Sequence, residues 1–352
     1  MSRMSDILEN VAIDAWAREL SRAPNQVNAL HESDAELLDI ASMPDHYLAI
    51  TIDTVAEEIA TGLYRDPFTM GWVTVMASLS DLAAVGADPL GVVVSVGVPP
   101  GADAAFIGGA RRGMEEACRS LEVFIAGGDL NATSAPCFTG CAFGIVPRGA
   151  VRTRLGIEPG DAVFLSGPAG GGNALGLVRL AGLADHLFPE EGYRPSARLA
   201  EGRALRGFAG ASMDTSDGVL TTLDQLMRLN GCGFLVECDW PALLSRGAFA
   251  LCEGTGTPPW LMLAGPHGEF ELVFAVAGSR IDAFQAAAPG RGLAPIRLGT
   301  VQERPVVTLA LPSGRRVDID MASVRNLDPT TKGGAERYLA ELAAIGRSWG
   351  ID

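Results

Sequence analysis

A valine-rich stretch, Leu90–Val98, closed by Pro99-Pro100 and flanked on both sides by helical periodicity, restricts what this chain can fold into. Upstream, Trp72, Val75, Met76, Leu79 and Leu82 lay an apolar stripe along a helix predicted over Phe68–Val85, with Gly86 as its stop. Downstream, residues 102–120 read as a second helix. A strand held between two helices must pair with strands from elsewhere in the chain. Tyr47–Asp53, Val123–Ala126 and Cys137–Val146 have the composition for it. The interleaving lacks the regular repeat of a doubly wound sheet, so the expected class is α+β.

Residues 5–22 read as an amphipathic helix ahead of this block. A boundary is expected at Arg154–Gly160, dividing the chain into residues 1–153 and 154–352. Beyond it, Ala162–Leu165, Phe234–Glu237 and Phe270–Val276 read as strands. Helices are expected at Ala174–Leu183, Ser196–Phe208 and Val219–Leu229. The last 30 residues read as a turn region and then a helix around Ala335–Ile345.

The formal net charge of -15 argues against a general nucleic-acid binder, which needs a basic surface to meet phosphates. It is compatible with an enzyme that meets anionic substrates through metal ions. The six cysteines, none with a histidine at zinc-site spacing, are expected to be buried free thiols. Asp6, Glu9, Asp14 and Glu19 interrupt any signal-like stretch, and no run approaches the roughly 20 apolar residues of a membrane span. A cytoplasmic protein without a membrane partner is the expectation.

Carboxylates recur where predicted strands end. In Ile125-Ala-Gly-Gly-Asp129, Gly127 and Gly128 are expected to turn the backbone and expose its N–H groups beside the acid. Magnesium is a natural partner for such a carboxylate, since it bridges to phosphate oxygens; an ordinary turn or helix cap is the alternative. Asp214-Thr-Ser-Asp217-Gly218 sets two acids and two hydroxyls ahead of a helix. Capping needs only one of them, so the surplus points to a metal–phosphate site. Asp53 ends its strand, and Asp34 sits in His31-Glu-Ser-Asp34. Thr74, Ser78 and Asp81 share one face of their helix, either a solvated side or a place for close ligand approach. Ser166–Asn173 is glycine-rich between strand and helix, but lacks the lysine of a P-loop. No HExxH or Gly-x-Ser-x-Gly motif occurs.

Taken together, Ser80-Asp-Leu-Ala-Ala-Val-Gly-Ala-Asp-Pro-Leu-Gly91, Gly127-Gly-Asp129 and Asp214-Thr-Ser-Asp-Gly218 resemble the aminoimidazole ribonucleotide synthase superfamily, and within it thiamine-monophosphate kinase. The likeness spans about residues 30 to 280. It implies a homodimer whose N-terminal domain contributes to a dimer-forming β-barrel, followed by a C-terminal α/β domain. It implies ATP and Mg2+ held by aspartates, and a small phosphorylated metabolite as acceptor. The matching metal positions are Asp34, Asp53, Asp81, Asp129, Asp214 and Asp217, with Ser216 as a hydroxyl ligand. Asp53, Thr54, Gly127, Gly128, Asp129 and Ser216 match nucleotide-binding positions, and Asp129 and Asp217 catalytic ones. The chain departs from the kinase pattern at Ser33-Asp34 (Asp-Asp in the kinase), Val55–Ala60, Ser78 and Pro266–Leu272. Two other readings stay open: a synthase that activates an amide or carbonyl oxygen with ATP, and a nucleotide-binding scaffold.

Overall fold

The computed structural model describes residues 3–327 and 334–351. Five strands make the first sheet: β1 (Glu36–Asp39), β2 (His46–Thr54), β3 (Asp88–Val98), β4 (Ile125–Ala132) and β5 (Cys137–Pro147), in the order β1-β2-β5-β3-β4. All neighbours are antiparallel except β3 and β4. Parallel neighbours require a crossover, and the second predicted helix supplies it. The helices here are α1 (Leu8–Arg18), α2 (Ala56–Ala60), α3 (Pro67–Val85) and α4 (Ala104–Ser120).

The expected barrel does not form. Strands β1 and β4 lie at opposite edges of an open sheet, and all eight residues of β4 are exposed. A barrel would need those edges to pair. Gly127 and Gly128 also differ from expectation, because they lie within β4 rather than at a turn after it. A Cβ at Gly128 would stand 2.2 Å from the Val94 carbonyl oxygen, so this glycine serves close strand approach.

Helix α3 begins as its sequence dictates, with Asp66 accepting the Phe68 N–H at 3.1 Å and Pro67 in the first turn, and ends at Gly86 with φ 77°. By length and composition it could cross a membrane, yet 14 of its 19 residues are buried inside the protein. Its polar face is a packing seam, not a solvated side. Thr74 and Ser78 donate back to carbonyls of their own helix, and β5 closes on them at Gly140, where a Cβ would stand 2.6 Å from the Thr74 oxygen.

The second sheet contains β6 (Ala162–Leu165), β7 (Ala209–Asp214), β8 (Gly233–Glu237), β9 (Leu272–Val276), β10 (Ile296–Gln302), β11 (Val307–Ala310) and β12 (Arg316–Ile319), ordered β12-β11-β8-β10-β6-β9-β7. Only β8 and β11 run parallel, so the expected α/β half is a mixed, mainly antiparallel sheet. Helices α5 (Gly171–Leu180), α6 (Leu199–Ala204) and α7 (Val219–Asn230) belong to this half, α6 being shorter than predicted. The last helix spans Gly334–Trp349, while the expected turn before it includes residues 328–333, outside the described residues.

Both faces of the second sheet are covered, which is why β6 and β9 are apolar throughout. Phe164 and Phe274 turn to the core that also contains Val75, Met76 and Leu79 of α3. Val163 and Val273 turn to a second core with Leu220 and Leu223 of α7. Helix α3 therefore lies between the sheets. Its far side meets α6 so closely that a Cβ at Gly202 would be 2.3 Å from the Ala83 oxygen. All six cysteines are free; Cys137 and Cys141, on the half-exposed face of β5, depart from the expected burial.

Candidate active site

Four of the predicted acids converge where α3 passes between the sheets. Asp53 comes from the end of β2, Asp81 from the last turns of α3, Asp214 from the end of β7 and Asp34 from the segment before β1. Carboxylate oxygens of Asp34, Asp81 and Asp214 all lie within 4.8 Å of one another. Asp53 faces the same group, and feels the charges of Asp214 and Asp34. Period-2 alternation places Thr51 on the Asp53 side of β2, and its hydroxyl donates to Asp81. Arg154 closes the group with a 3.0 Å bond from Nη2 to Asp34 Oδ1.

Such packing of buried like charges raises the pKa of the carboxylates. Burial pushes Asp53 up to about 7, with the Asp214 charge adding to it. Burial, then the Asp53 charge, hold Asp81 well above the usual carboxylate range. Burial and Asp34 raise Asp214 to about 6. One arginine cannot neutralise four acids. Oδ2 of Asp34, of Asp53 and of Asp214 is buried without any hydrogen-bond partner. Buried carboxylate oxygens are normally satisfied, so these three orphaned atoms fit a hard cation, whose ligands are oxygens at close range.

The Asp214–Gly218 turn is held rigidly. Thr215 exchanges bonds with Glu271, its N–H donating to the carbonyl and its hydroxyl accepting the Glu271 N–H at 3.0 Å. Ser216 donates to Asp214 Oδ1 at 2.9 Å. The N-cap of α7 is Gly218, and no side chain caps the helix, so neither acid is spent on capping. Asp217 stands next to this group in a small cleft with Glu9, Thr221 and Arg325. Burial raises it to about 7, helped by the charges of Glu9 and Asp214.

Asp129 and Thr54 are placed differently. Thr54 pairs with Thr139, Thr139 with Ser95 and Ser95 with Asp129, so the four form one row across β2, β5, β3 and β4. That row faces away from α3, whereas Asp53 faces it. Three interstrand spacings put Asp129 about 14 Å from Thr54. Asp129 is exposed and accepts from Asn131 at 2.5 Å, while Thr54 donates to the Phe138 carbonyl at 3.2 Å. A single chain does not bring Asp129, Gly127 or Gly128 to the acidic group.

The glycine-rich run after β6 is already occupied. Glu269 Oε2 accepts the Gly170 N–H at 2.6 Å, and the Gly171 and Gly172 N–H groups also turn to this carboxylate. The donors that could have held phosphate hold an internal acid at the start of α5. Burial raises Glu269 to about 8, Glu271 adding its charge.

Sequence patterning missed Arg154, for which no local signal exists, and Thr51, which the alternation of β2 could have revealed.

The N-terminal domain model of the AIR synthase related proteins matches residues 32–146. The thiamine-monophosphate kinase of Halobacterium salinarum is 36% identical over 247 residues, 69% of this chain and 81% of the relative. That of Caulobacter vibrioides is 31% identical over 278 residues, 76% of this chain and 78% of the relative. Among solved structures, AaThiL complexed with AMPPCP and TMP shares the fold, with a TM-score of 0.70 at 21% identity, over 90% of this chain and 96% of that one. With four acids from four distant segments gathered at one point, and relatives matched over most of their length, the chain belongs to the thiamine-monophosphate kinase family of the AIR synthase-related proteins.

Proposed function

We propose that this kinase-type phosphotransferase carries the γ-phosphoryl group of ATP to the phosphate of a small phosphorylated metabolite, with Mg2+ held by Asp34, Asp53, Asp81 and Asp214. The observation that carries the reading is the buried acidic group with its three orphaned oxygens. AaThiL was complexed with AMPPCP, an ATP analogue, and TMP, which supports this pair of ligand classes. Magnesium bound at these carboxylates supplies charge neutralisation and orientation of phosphate oxygens. Arg154 fixes Asp34, Thr51 fixes Asp81 and Ser216 fixes Asp214, so the ligand oxygens are held before substrate arrives. Asp217 adds a further carboxylate at the edge. An acceptor phosphate is already ionised near neutral pH. Its oxygen bonds to the γ-phosphorus as the bond to the β-phosphate oxygen breaks, leaving ADP and a diphosphate ester, and no strong base is required.

The test is a product assay with ATP, Mg2+ and a panel of phosphorylated metabolites, thiamine monophosphate first. A diphosphate ester and ADP in equal amounts are expected, and none in EDTA. Free phosphate without a phosphorylated product would overturn the reading. Asp129 belongs to the proposal through its motif. Because it is exposed, Asp129→Ala should change stability by no more than about 0.5 kcal/mol, while turnover falls at least ~100-fold. Unchanged turnover would remove Asp129 from the machinery.

The reading includes a homodimer. The open face of the first sheet sets Ile52, Cys141 and Val93 side by side, with Ile52 69% and Val93 37% exposed. A second copy is the natural cover for such a face. Light scattering should give twice the chain mass, and Ile52→Lys should halve it; a monomeric parent protein would refute this part.

A further inference from the structure

Two buried arginines share one buried acid beside the Asp217 cleft. Asp224 of α7 accepts from Arg228 Nε at 2.8 Å and Nη2 at 3.0 Å, and from Arg325 Nη1 at 2.9 Å. Arg228 uses its remaining nitrogen, Nη1, on the Arg3 carbonyl at 2.6 Å and pairs with Asp6. Arg228 alone neutralises Asp224, so the charge of Arg325 is surplus. Arg325 ends the short helix Met321–Arg325. Its side chain is 6% exposed, and Nη1 donates a second bond to Gln225 at 3.0 Å, which fixes the guanidinium in one orientation.

The other terminal nitrogen points to the cleft. Among the described residues, Arg325 Nη2 has no hydrogen-bond partner, and it is not sealed from solvent. Glu9 of α1 stands 3.6 Å from it, with a side chain 60% exposed. An exposed acid at that distance is a weak partner. Arg325, Glu9, Asp217 and Thr221 line one cleft of about 80 Å³. That is several times the roughly 10–15 Å³ that holds one water, and suits a group the size of phosphate. Asp217 feels the charges of Asp214 and Arg154 as well as that of Arg325, so the cleft adjoins the acidic group. The cleft carries two acids against one cation. An anion is therefore repelled until a metal ion neutralises Asp217.

We propose that Arg325 holds the phosphate of the acceptor metabolite in this cleft, turned toward the γ-phosphoryl group, and that Glu9 occupies its place until that phosphate arrives. The proposal rests on the phosphotransfer reading and adds the acceptor's own contact to it. An acceptor phosphate brings charge into a site already crowded with ATP oxygens. A charge-assisted hydrogen bond from a pre-oriented guanidinium offsets that repulsion.

The experiment is calorimetric titration of inorganic phosphate into the full chain saturated with Mg2+ and AMPPCP. One saturable phosphate site per chain is expected, and none when EDTA replaces Mg2+. Arg325→Gln should weaken it at least ~10-fold, with AMPPCP affinity within twofold of the parent. Arg228 still neutralises Asp224 in that variant. Glu9→Gln, which releases Nη2, should tighten phosphate binding about threefold. It lies at an exposed position and decides the matter even where Arg325→Gln folds poorly. Absence of phosphate binding would overturn the proposal. So would binding that Arg325→Gln leaves within twofold, or a Glu9→Gln variant that binds phosphate no tighter than the parent. Failure of the phosphotransfer reading shows differently: the chain would bind phosphate through Arg325 and still form no diphosphate ester in the product assay.

Discussion

Asp214→Asn is expected to fold at least as stably as the parent chain in metal-free buffer, and to turn over about 1,000-fold more slowly. The two effects share one cause. Asp214 is buried within reach of Asp34 and Asp81, and one of its oxygens has no partner. Removing its charge relieves repulsion that raises the pKa of Asp53 and Asp81. The amide keeps the shape and can still accept the Ser216 hydroxyl. What disappears is an anionic ligand for the cation that neutralises phosphate charge. Steady-state kinetics at saturating ATP and Mg2+, with a melting curve in EDTA, separate the outcomes. Normal turnover, or a melting temperature many degrees lower, would show that Asp214 is structural.

The second large effect is the pH dependence of stability, and its reversal by magnesium. Asp53 and Asp217 titrate near 7, Asp214 near 6 and Glu269 near 8 in the folded chain. Each lies above its unfolded value near 4. Between those values the folded state binds more protons than the unfolded state, so stability falls as pH rises. His267 opposes this below pH 6.5, since burial lowers it to about 4 and keeps it neutral. Four acids outweigh one histidine. In EDTA the protein should lose on the order of several kcal/mol between pH 5.5 and pH 8, read as a steady drop in melting temperature. Bound magnesium stabilises the ionised carboxylates, so its stabilising effect should grow over the same range. A melting temperature that rises with pH in EDTA would contradict the clustering of these acids.

The long elements were plain in the sequence, as were the short apolar strands β6 and β8, whereas short strands without an apolar run were not. Helix α3 was legible because its apolar residues recur at helical spacing and Gly86 closes it. Strand β7 escaped because Ala209-Gly-Ala-Ser-Met-Asp214 is made of small residues with little strand preference. Its place in the sheet comes from pairing with β9, some 60 residues onward. The alternation Arg316-Val-Asp-Ile319 in β12 could have been noticed. Of the site, the acids that share a family pattern were legible. Their geometry was not, because Asp34, Asp53, Asp81 and Asp214 meet only through tertiary packing. The same limit explains Asp129, whose motif said nothing of the sheet face it occupies. It also explains the Ser166–Asn173 run, whose donors were claimed by Glu269, an acid about 100 residues away in sequence.

The position of α3 between two sheets has a consequence for biosynthesis. Its apolar surface leaves the ribosome well before α6 and β7, the wall it needs on its far side, which follow roughly 110–130 residues later. At ordinary elongation rates that delay is about 5–25 s. During it, a helix with the composition of a membrane span is only half covered. The nascent chain should therefore be a chaperone client in that window, and fragments ending near the first sheet should aggregate instead of folding.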